Sequence, residues 1–237
     1  MSEGGARRPL RIALTVMLAV GLLLAWLAPV ALAAHGDLVV NATTRYQVLP
    51  EAGRVHVVID AVATSFEPDT EDGRIYYSGI SFAVPAEASN IAAFSGGAPI
   101  PAQVVERTDA YQVVEVTFDQ QVFFQESYTY TVVFDLVDPG GVADRDVRIG
   151  RSLVAFPVWA FGTDDHPGSS VRVELPAGFE PTIQGSTMAV EEGSELTILS
   201  AQPADPFDFF AYLSADRPGA FAETPLDVQM STETARV

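Results

Sequence analysis

The stretch YTYTVVFDLV, residues 128–137, alternates two kinds of side chain along its length. Aromatic and aliphatic residues occupy one set of alternate positions, namely Tyr128, Tyr130, Val132, Phe134 and Leu136. The other set is more polar and includes Thr129, Thr131 and Asp135. Because successive side chains of a strand point to opposite faces, this pattern predicts a β-strand with one face buried against a core.

The same alternation recurs on both sides of this stretch. Residues 55–60, VHVVID, and residues 171–175, VRVEL, show it over shorter lengths. Further β candidates are 38–48, 74–84, 100–106, 111–118, 147–161, 195–199 and 207–213. Turns rich in Gly, Pro and Asp separate them, and no helical period is sustained. We therefore expect an all-β fold, an antiparallel β-sandwich of Ig-like or saddle-like form, preceded by one N-terminal hydrophobic helix.

The charge balance excludes one class of partner. The chain has 13 basic and 31 acidic residues, which gives a net charge of −18, and every basic residue is arginine. Nucleic-acid affinity comes mainly from cationic side chains that displace condensed counterions, so we expect no nucleic-acid partner. The absence of cysteine excludes disulfides, thiolate zinc sites and cysteine nucleophiles. The lysine-free composition is typical of a high-GC bacterial genome.

The amino terminus predicts export. Arg7, Arg8 and Arg11 precede an uncharged apolar run, residues 12–34. Near its end, Ala31-Leu32-Ala33 forms a cleavage-like motif just before Ala34. This pattern is typical of a secretory signal peptide, and it is also long enough for an uncleaved signal-anchor transmembrane helix. In both cases the arginines stay in the cytoplasm. We expect the rest of the chain to be extracytoplasmic, either secreted or held in the cell membrane by one span.

Three regions follow from these patterns. Residues 1–34 form the signal peptide or membrane anchor, residues 35–215 form one extended β domain, and residues 216–237 form a linker or flexible tail. The Asp-Pro-Gly-Gly turn and the charged segment after it make 138–146 the best candidate for a sub-boundary inside the β domain.

The stretch FGTDDHPGSS, residues 161–170, places Asp164 and Asp165 beside His166. These side chains could bind zinc or calcium, or act in catalysis. However, adjacent residues on a loop point in different directions, and no second histidine lies nearby. Asp, Pro and Gly are also the residues that tight turns use, so we favour a turn here.

A second acidic cluster comprises Glu67, Asp69 and Glu71. Carboxylates at alternating positions are typical of a calcium loop, but the glycine falls one position late and the closing glutamate is missing. We favour a solvated hairpin loop, with weak calcium binding as the alternative.

Aromatic residues allow two interpretations. They can fill a sandwich core, which we favour, or form a surface platform for a sugar. The doublets Tyr76-Tyr77 and Phe123-Phe124 must each send one ring outward if their strands are regular. HExxH, GxSxG and glycine-rich phosphate motifs are all missing from the sequence, so no catalytic or cofactor-binding residue is predicted.

The segment FPVWAFGTDDHPGSSVRVELPAGFEPTIQG, residues 156–185, resembles the end of the saddle-shaped N-terminal β domain of aminopeptidase N-type gluzincins. That family shows a Phe-Pro, an Asp-x-Pro turn, a strand and a Pro-x-Gly in the same order. Residues 43–68 are similar to the opening hairpin of such domains, so the resemblance spans about 38–215. Similar β regions precede peptidase-like or transglutaminase-like domains in exported bacterial proteins. The resemblance implies a non-catalytic module, because the family's catalysis belongs to a later HExxH domain.

Together these observations predict an exported β module with a structural or interaction role at a bacterial cell surface. It would meet a protein or carbohydrate partner there, and the membrane if its N-terminal helix is kept. Two alternatives stay open: a carbohydrate- or calcium-binding surface domain, and the N-terminal part of a larger metallopeptidase or transglutaminase-like enzyme.

Overall fold

The computed structural model describes residues 38–71, 73–140, 145–163 and 166–218. Within these ranges the chain forms fifteen strands and one turn of 3-10 helix, Pro50–Ala52. The strands are β1 (Leu38–Leu49), β2 (Arg54–Ser65), β3 (Tyr76–Pro85), β4 (Ala88–Ser95), β5 (Ala98–Ile100), β6 (Ala102–Arg107), β7 (Tyr111–Phe123), β8 (Ser127–Val137), β9 (Arg148–Ile149), β10 (Leu153–Trp159), β11 (Ser170–Pro176), β12 (Glu180–Gly185), β13 (Ala189–Glu192), β14 (Leu196–Ala201) and β15 (Phe210–Asp216). The predicted all-β class is confirmed.

The described strands form three sheets. The largest has eight strands in the order β13-β14-β11-β1-β2-β8-β4-β5, the second has the order β12-β15-β10-β9, and the third has the order β3-β7-β6. Strand pairing is antiparallel, as predicted, except that β1 runs parallel to β11 from Thr43 to Gln47. The eight-stranded sheet includes strands from both sides of the 138–146 segment.

The alternation of apolar and polar residues explains why β1, β2 and β8 form the centre of the large sheet. Strands β1, β2 and β8 are long and pair along nearly their whole lengths. Their apolar positions are buried and the intervening positions are mostly more exposed. Burying an aliphatic or aromatic side chain contributes about 1.5–3 kcal/mol, so this register is strongly favoured over one shifted by a residue.

Both smaller sheets cover the same apolar face of the large sheet. In the four-stranded sheet, Phe156 stacks on Tyr46 of β1 with ring centroids 6.1 Å apart. In the three-stranded sheet, Phe118 contacts Tyr128 and Tyr130 of β8 at centroid distances of 4.3 and 5.6 Å. Buried residues of all three sheets therefore share one core.

Some predicted elements differ from the observed ones. The range 147–161 contains two strands instead of one, because a turn at Gly150, whose N–H donates to Leu153 O at 2.9 Å, separates β9 from β10. Strand β4 lacks clear alternation because Asn90 has a positive φ of 54° beside a shift in register. Strand β13 is an edge strand with every side chain exposed, so it carries no apolar pattern.

The predicted N-terminal helix lies outside the described residues. Among the residues that the structure does describe, no helix has the length and apolar character needed to cross a membrane. Most of the predicted tail, from residue 219 on, also lies outside them. At the start of that tail, Arg217 still contacts the fold, since its N–H donates to Ser152 O at 2.9 Å and its guanidinium lies 4.4 Å from the Phe179 ring centroid.

Candidate functional site

An apolar cavity of about 70 Å³ lies where the three sheets meet. Strands β1 and β2 of the large sheet and β3 of the three-stranded sheet supply part of its wall. The rest comes from the end of β10 with residues 160–163, from Tyr130, and from Phe207, Phe209 and Phe210. None of the lining side chains carries a charge. A concave apolar site with few polar groups is the usual form of a small-molecule pocket.

Tyr46 fixes the β10 side of this cavity against β1. Its buried hydroxyl donates to Trp159 O at 3.0 Å and accepts from Trp159 N at 2.9 Å. Burial raises the pKa of Tyr46, with the backbone hydrogen bond opposing that shift. The hydroxyl therefore stays protonated and satisfies both backbone groups at the end of β10.

Trp159 and Tyr130, two residues that line the cavity, carry polar groups in buried surroundings. The indole Nε1 of Trp159 is buried and has no acceptor among the described residues. Tyr130 is only 3% exposed, and its hydroxyl makes no hydrogen bond to a described residue. Burial raises the pKa of Tyr130, so the hydroxyl is neutral. The unpaired indole N–H of Trp159 is the uncommon case, because leaving a buried polar group unsatisfied costs about 1–3 kcal/mol.

The sequence contains no pattern that predicts this cavity. Trp159, Phe161 and Phe207 belong to the aromatic set assigned mainly to the core, and the structure places them around a space. The residues that line the cavity come from segments that are far apart along the chain. No local sequence pattern predicts that these segments meet. The only sequence signal was the density of aromatic residues in 156–161 and 207–210.

A second feature is the aromatic end surface, which we define as Phe66, Tyr76 and Phe124. These side chains are 50%, 47% and 40% exposed. The segments that carry Phe66 and Phe124 meet, because Gln125 N donates to Ser65 O at 2.7 Å, and Tyr76 packs on the neighbouring ring of Phe123. Each predicted doublet does send one ring outward: Tyr76 and Phe124 are exposed, whereas Tyr77 and Phe123 are half-buried.

Arg74 covers Phe123 beside this surface. Its guanidinium carbon lies 3.8 Å from the ring centroid, and Tyr76 packs on the same ring with centroids 5.6 Å apart. The arginine Nε also lies 3.4 Å from Asp69 Oδ2. Phe123 is thereby held between neighbours, whereas the three rings of the aromatic end surface keep a large share of their area exposed.

The acidic loop containing Glu67, Asp69 and Glu71 adjoins the aromatic end surface. Glu67 accepts a hydrogen bond from the Tyr77 hydroxyl, and Asp69 Oδ1 accepts one from Ile75 N at 3.3 Å. Glu71 is exposed. The loop joins β2 to β3, which lie in different sheets, and a tight turn within it pairs Thr70 with Gly73 through reciprocal backbone hydrogen bonds of 3.0 and 3.3 Å. Its interpretation as a solvated loop or calcium site stays a prediction.

Of the other predicted metal candidates, Asp164 and Asp165 lie outside the described residues, and His166 is exposed. The flanks of this loop dock on β1. Val40 N donates to Thr163 Oγ1 at 2.6 Å, and Ala42 N donates to Ser169 Oγ at 3.0 Å. Along this part of β1, where β11 does not yet pair, these hydroxyls replace a neighbouring strand.

Asp135 forms the best-connected charged cluster on the outer face of the large sheet. Its side chain is 7% exposed and accepts from Arg54 Nη1 at 3.0 Å, from Asn90 Nδ2 at 3.0 Å and from His56 Nδ1 at 2.8 Å. Burial alone would raise the pKa of Asp135, but the hydrogen bonds from His56 and Asn90 and the charge of Arg54 outweigh it and lower the pKa. No local sequence pattern predicts this cluster, because its members lie on three strands.

No three His, Cys, Asp or Glu side chains of the described residues lie close enough together to hold a metal ion.

Comparison with known proteins identifies relatives in fold. The sequence matches no family model and no curated protein sequence. The structure is similar to native leukotriene A4 hydrolase from Saccharomyces cerevisiae, with a TM-score of 0.50 and 10% identity over 81% of this chain and 31% of that chain. It is also similar to an M1 zinc metallopeptidase from Deinococcus radiodurans, with a TM-score of 0.46 and 17% identity over 77% of this chain and 43% of that chain. The resemblance to aminopeptidase N-type proteins is thus confirmed for the fold alone, and the chain spans less than half of either structure.

Proposed function

We propose that this protein is an extracytoplasmic β module with a structural or interaction role at a bacterial cell surface. Its N-terminal segment would either anchor it in the membrane or direct its export and be removed. We further propose that its sheets adopt the saddle-like form of a β-sandwich. Export is supported by the basic flank and the uncharged run of residues 12–34.

The aromatic end surface is the observation that carries the interaction role. Protein–protein interfaces are enriched in aromatic residues, and a few such residues supply most of the binding energy. Phe66, Tyr76 and Phe124 are the residues on this end that a partner could bury. Because Glu67, Asp69 and Glu71 adjoin them and the chain carries a net charge of −18, we propose a partner with apolar side chains inside a basic rim.

Photo-crosslinking in intact cells tests this surface. A benzophenone amino acid replaces Phe124 in one variant and Val105, which is 50% exposed on β6, in a matched control. We expect a discrete adduct from position 124 and none from position 105, and we expect Phe66→Ser with Tyr76→Ser to abolish it. Equal adducts from both positions, or none from position 124, would contradict the interaction role.

Intact mass measured in separate cell fractions tests the location. Full-length chain in the membrane fraction supports an anchor, and a species spanning 34–237 in the culture supernatant supports secretion. Protein confined to the cytosol would contradict export altogether.

A second candidate function is the β portion of a larger peptidase-like or transglutaminase-like enzyme. The fold shared with yeast leukotriene A4 hydrolase over 31% of that chain favours it. A native mass well above 25.3 kDa would support this candidate, and a native mass that matches the chain would contradict it.

A carbohydrate- or calcium-binding role is a third candidate, favoured by the exposed rings and the carboxylates that adjoin them. A ligand that binds only the folded state raises the melting temperature. Calcium should then stabilise the wild type and not the Asp69→Asn/Glu71→Gln variant, whereas equal effects on both proteins would exclude this loop.

A further inference from the structure

The outer face of the large sheet carries two valines with two arginines beside them. Val58 of β2 is the register partner of Val133 of β8 on one side and of Arg45 of β1 on the other, and Arg45 is the partner of Arg172 of β11. We define these four residues as the basic outer patch. The residues next to each of them along its strand are buried, so all four side chains point away from the core. They form one row across four adjacent strands.

The two arginines of this patch lie side by side without a matching pair of acids. Arg172 Nε donates to Glu174 Oε1 at 3.0 Å, whereas Arg45 is exposed and makes no ion pair with a described residue. Like charges directly opposite each other on neighbouring strands destabilise a sheet. The chain has 31 acidic residues, yet no described one pairs with Arg45. This arrangement favours a carboxylate that a second molecule supplies.

The aromatic end surface has the complementary character. Its three rings are exposed apolar groups that the valines of the basic outer patch can cover. Residues 67–74, which adjoin these rings, contain four acidic residues and one arginine, and Glu71 among them is exposed. The basic outer patch therefore offers what a partner of the aromatic end surface needs, namely apolar side chains bordered by positive charge.

One molecule cannot bring its own two surfaces together. Val58 lies on β2, and Phe66 directly follows the end of that strand. At the rise of a strand, the segment from Val58 to Phe66 spans about 25 Å. Because β2 is paired with β1 and β8 along nearly its whole length, it cannot fold back on itself. Contact between the two surfaces therefore requires two copies of the chain.

We propose that the partner of the aromatic end surface is a second copy of this chain, which receives that surface on its basic outer patch. The proposal rests on the interaction role proposed above. The rings of one copy cover the valines of the next, and the acidic loop beside the rings lies against the arginine pair. Because the two surfaces differ, each copy keeps one of them free for a further copy, so the copies join head to tail into a ring or an open chain.

Crosslinking between two altered copies tests the direction of this contact. The probe copy carries the benzophenone amino acid at position 124 together with Arg45→Thr and Arg172→Thr, so of the two surfaces only its aromatic end surface is intact. The target copy carries an affinity tag with Phe66→Ser and Tyr76→Ser, so only its basic outer patch is intact. Both full-length chains are expressed in the same cells. We expect an adduct with the summed mass of the two copies, whose crosslinked target peptide lies in β1, β2, β8 or β11.

Changes in the target copy test the role of the arginines. Adding Arg45→Thr and Arg172→Thr to that copy should lower the adduct yield at least about tenfold. Val58→Glu instead gives Arg45 a carboxylate on the neighbouring strand and should lower the yield similarly. Arg107→Thr with Arg151→Thr is the matched control, because it removes the same positive charge from exposed positions elsewhere and should leave the yield unchanged.

The outcomes distinguish self-assembly from the wider interaction role. An adduct between the two copies that the arginine and Val58 variants remove, and the control keeps, supports the proposal. A copy–copy adduct that these variants leave intact would overturn it. An adduct of position 124 with a different protein would also overturn it while leaving the interaction role standing, whereas no adduct from position 124 would contradict both.

Discussion

The hydroxyl of Tyr46 joins two sheets through a single residue. It pairs with both backbone groups of Trp159, which lies 113 residues away along the chain. Removing it would leave a buried N–H and a carbonyl unsatisfied, and that loss costs more than the hydrogen bonds themselves contribute.

We expect Tyr46→Phe to lower the free energy of unfolding by about 2–4 kcal/mol, because two backbone groups lose their partner. Urea unfolding followed by circular dichroism measures this change. The control is Tyr212→Phe, whose hydroxyl donates to the exposed Asp146 O at 3.0 Å and should cost less than about 1 kcal/mol. Equal losses of unfolding free energy in the two variants would contradict the expectation that the hydrogen bonds to Trp159 stabilise the fold more than an exposed hydrogen bond does.

Gly185 and Gly178 have nearly the same φ angle in different surroundings. Their φ angles are +89° and +90°, but a Cβ on Gly185 would lie 2.6 Å from Phe210 O, whereas one on Gly178 would meet only the Arg217 side chain at 3.8 Å. We expect Gly178→Ala to cost about 1–2 kcal/mol from backbone strain and Gly185→Ala about 2–4 kcal/mol, since it also displaces β15. Melting temperatures of the two variants test this order, and a reversed order would contradict it.

Three strands of the large sheet are tied together by Asp135, which shows how a side chain acts at the scale of elements. The residue lies on β8, while its partners Arg54 and His56 lie on β2 and Asn90 lies on β4. Its lowered pKa means that the unfolded chain binds a proton more readily than the folded one. The stability from this cluster is therefore present above about pH 4 and is lost as the pH falls through the folded-state pKa.

We expect Asp135→Asn to cost about 1–3 kcal/mol at neutral pH, because it removes charge-assisted hydrogen bonds from a buried site. The deficit relative to wild type should shrink as the pH falls below about 4, because the unfolded chain takes up a proton first and the folded carboxylate becomes protonated only at its lowered pKa. Unfolding free energies between pH 2 and 7 measure this. Asp60→Asn, at an exposed carboxylate that accepts from Thr131, is the control; a deficit that does not vary with pH would contradict the assigned charge effect.

The whole molecule shares a sensitivity to alkali. Burial raises the pKa of Tyr46 and Tyr130 above the ordinary value of about 10, and it also raises those of Tyr128 and Tyr212. When the folded pKa lies above the unfolded pKa, stability is complete below the unfolded value and falls as the pH rises toward the folded value. The neutral hydroxyls in the core thus set an upper pH limit on the fold.

We expect the free energy of unfolding to be nearly constant from pH 7 to 9 and to fall steeply above about pH 10. Chemical unfolding from pH 7 to 11.5 measures the slope, and Tyr130→Phe should reduce it by removing one titrating group. A decline that begins below pH 9, or an unchanged slope in Tyr130→Phe, would show that other groups control the loss.

Much of the fold could be predicted because its signal is local. Strand β8 was predicted as 128–137 and observed as Ser127–Val137, since alternation over its whole length records which face is buried. The outward rings of the two aromatic doublets followed from the same periodicity. Strands β4 and β13 could not be predicted, because a bulge at Asn90 and full exposure at an edge remove that periodicity.

The sequence by itself determined the β class, the positions of the long strands and the acidic charge, because each depends on composition or on the two-residue period of a strand. Only the tertiary structure decided the division into three sheets, the Asp135 cluster and the cavity beside Trp159. Those features join residues that are distant along the chain, such as Tyr46 and Trp159, and such pairs form only when the sheets pack. Local periodicity specifies which side of each strand is buried, whereas packing specifies what each buried side meets.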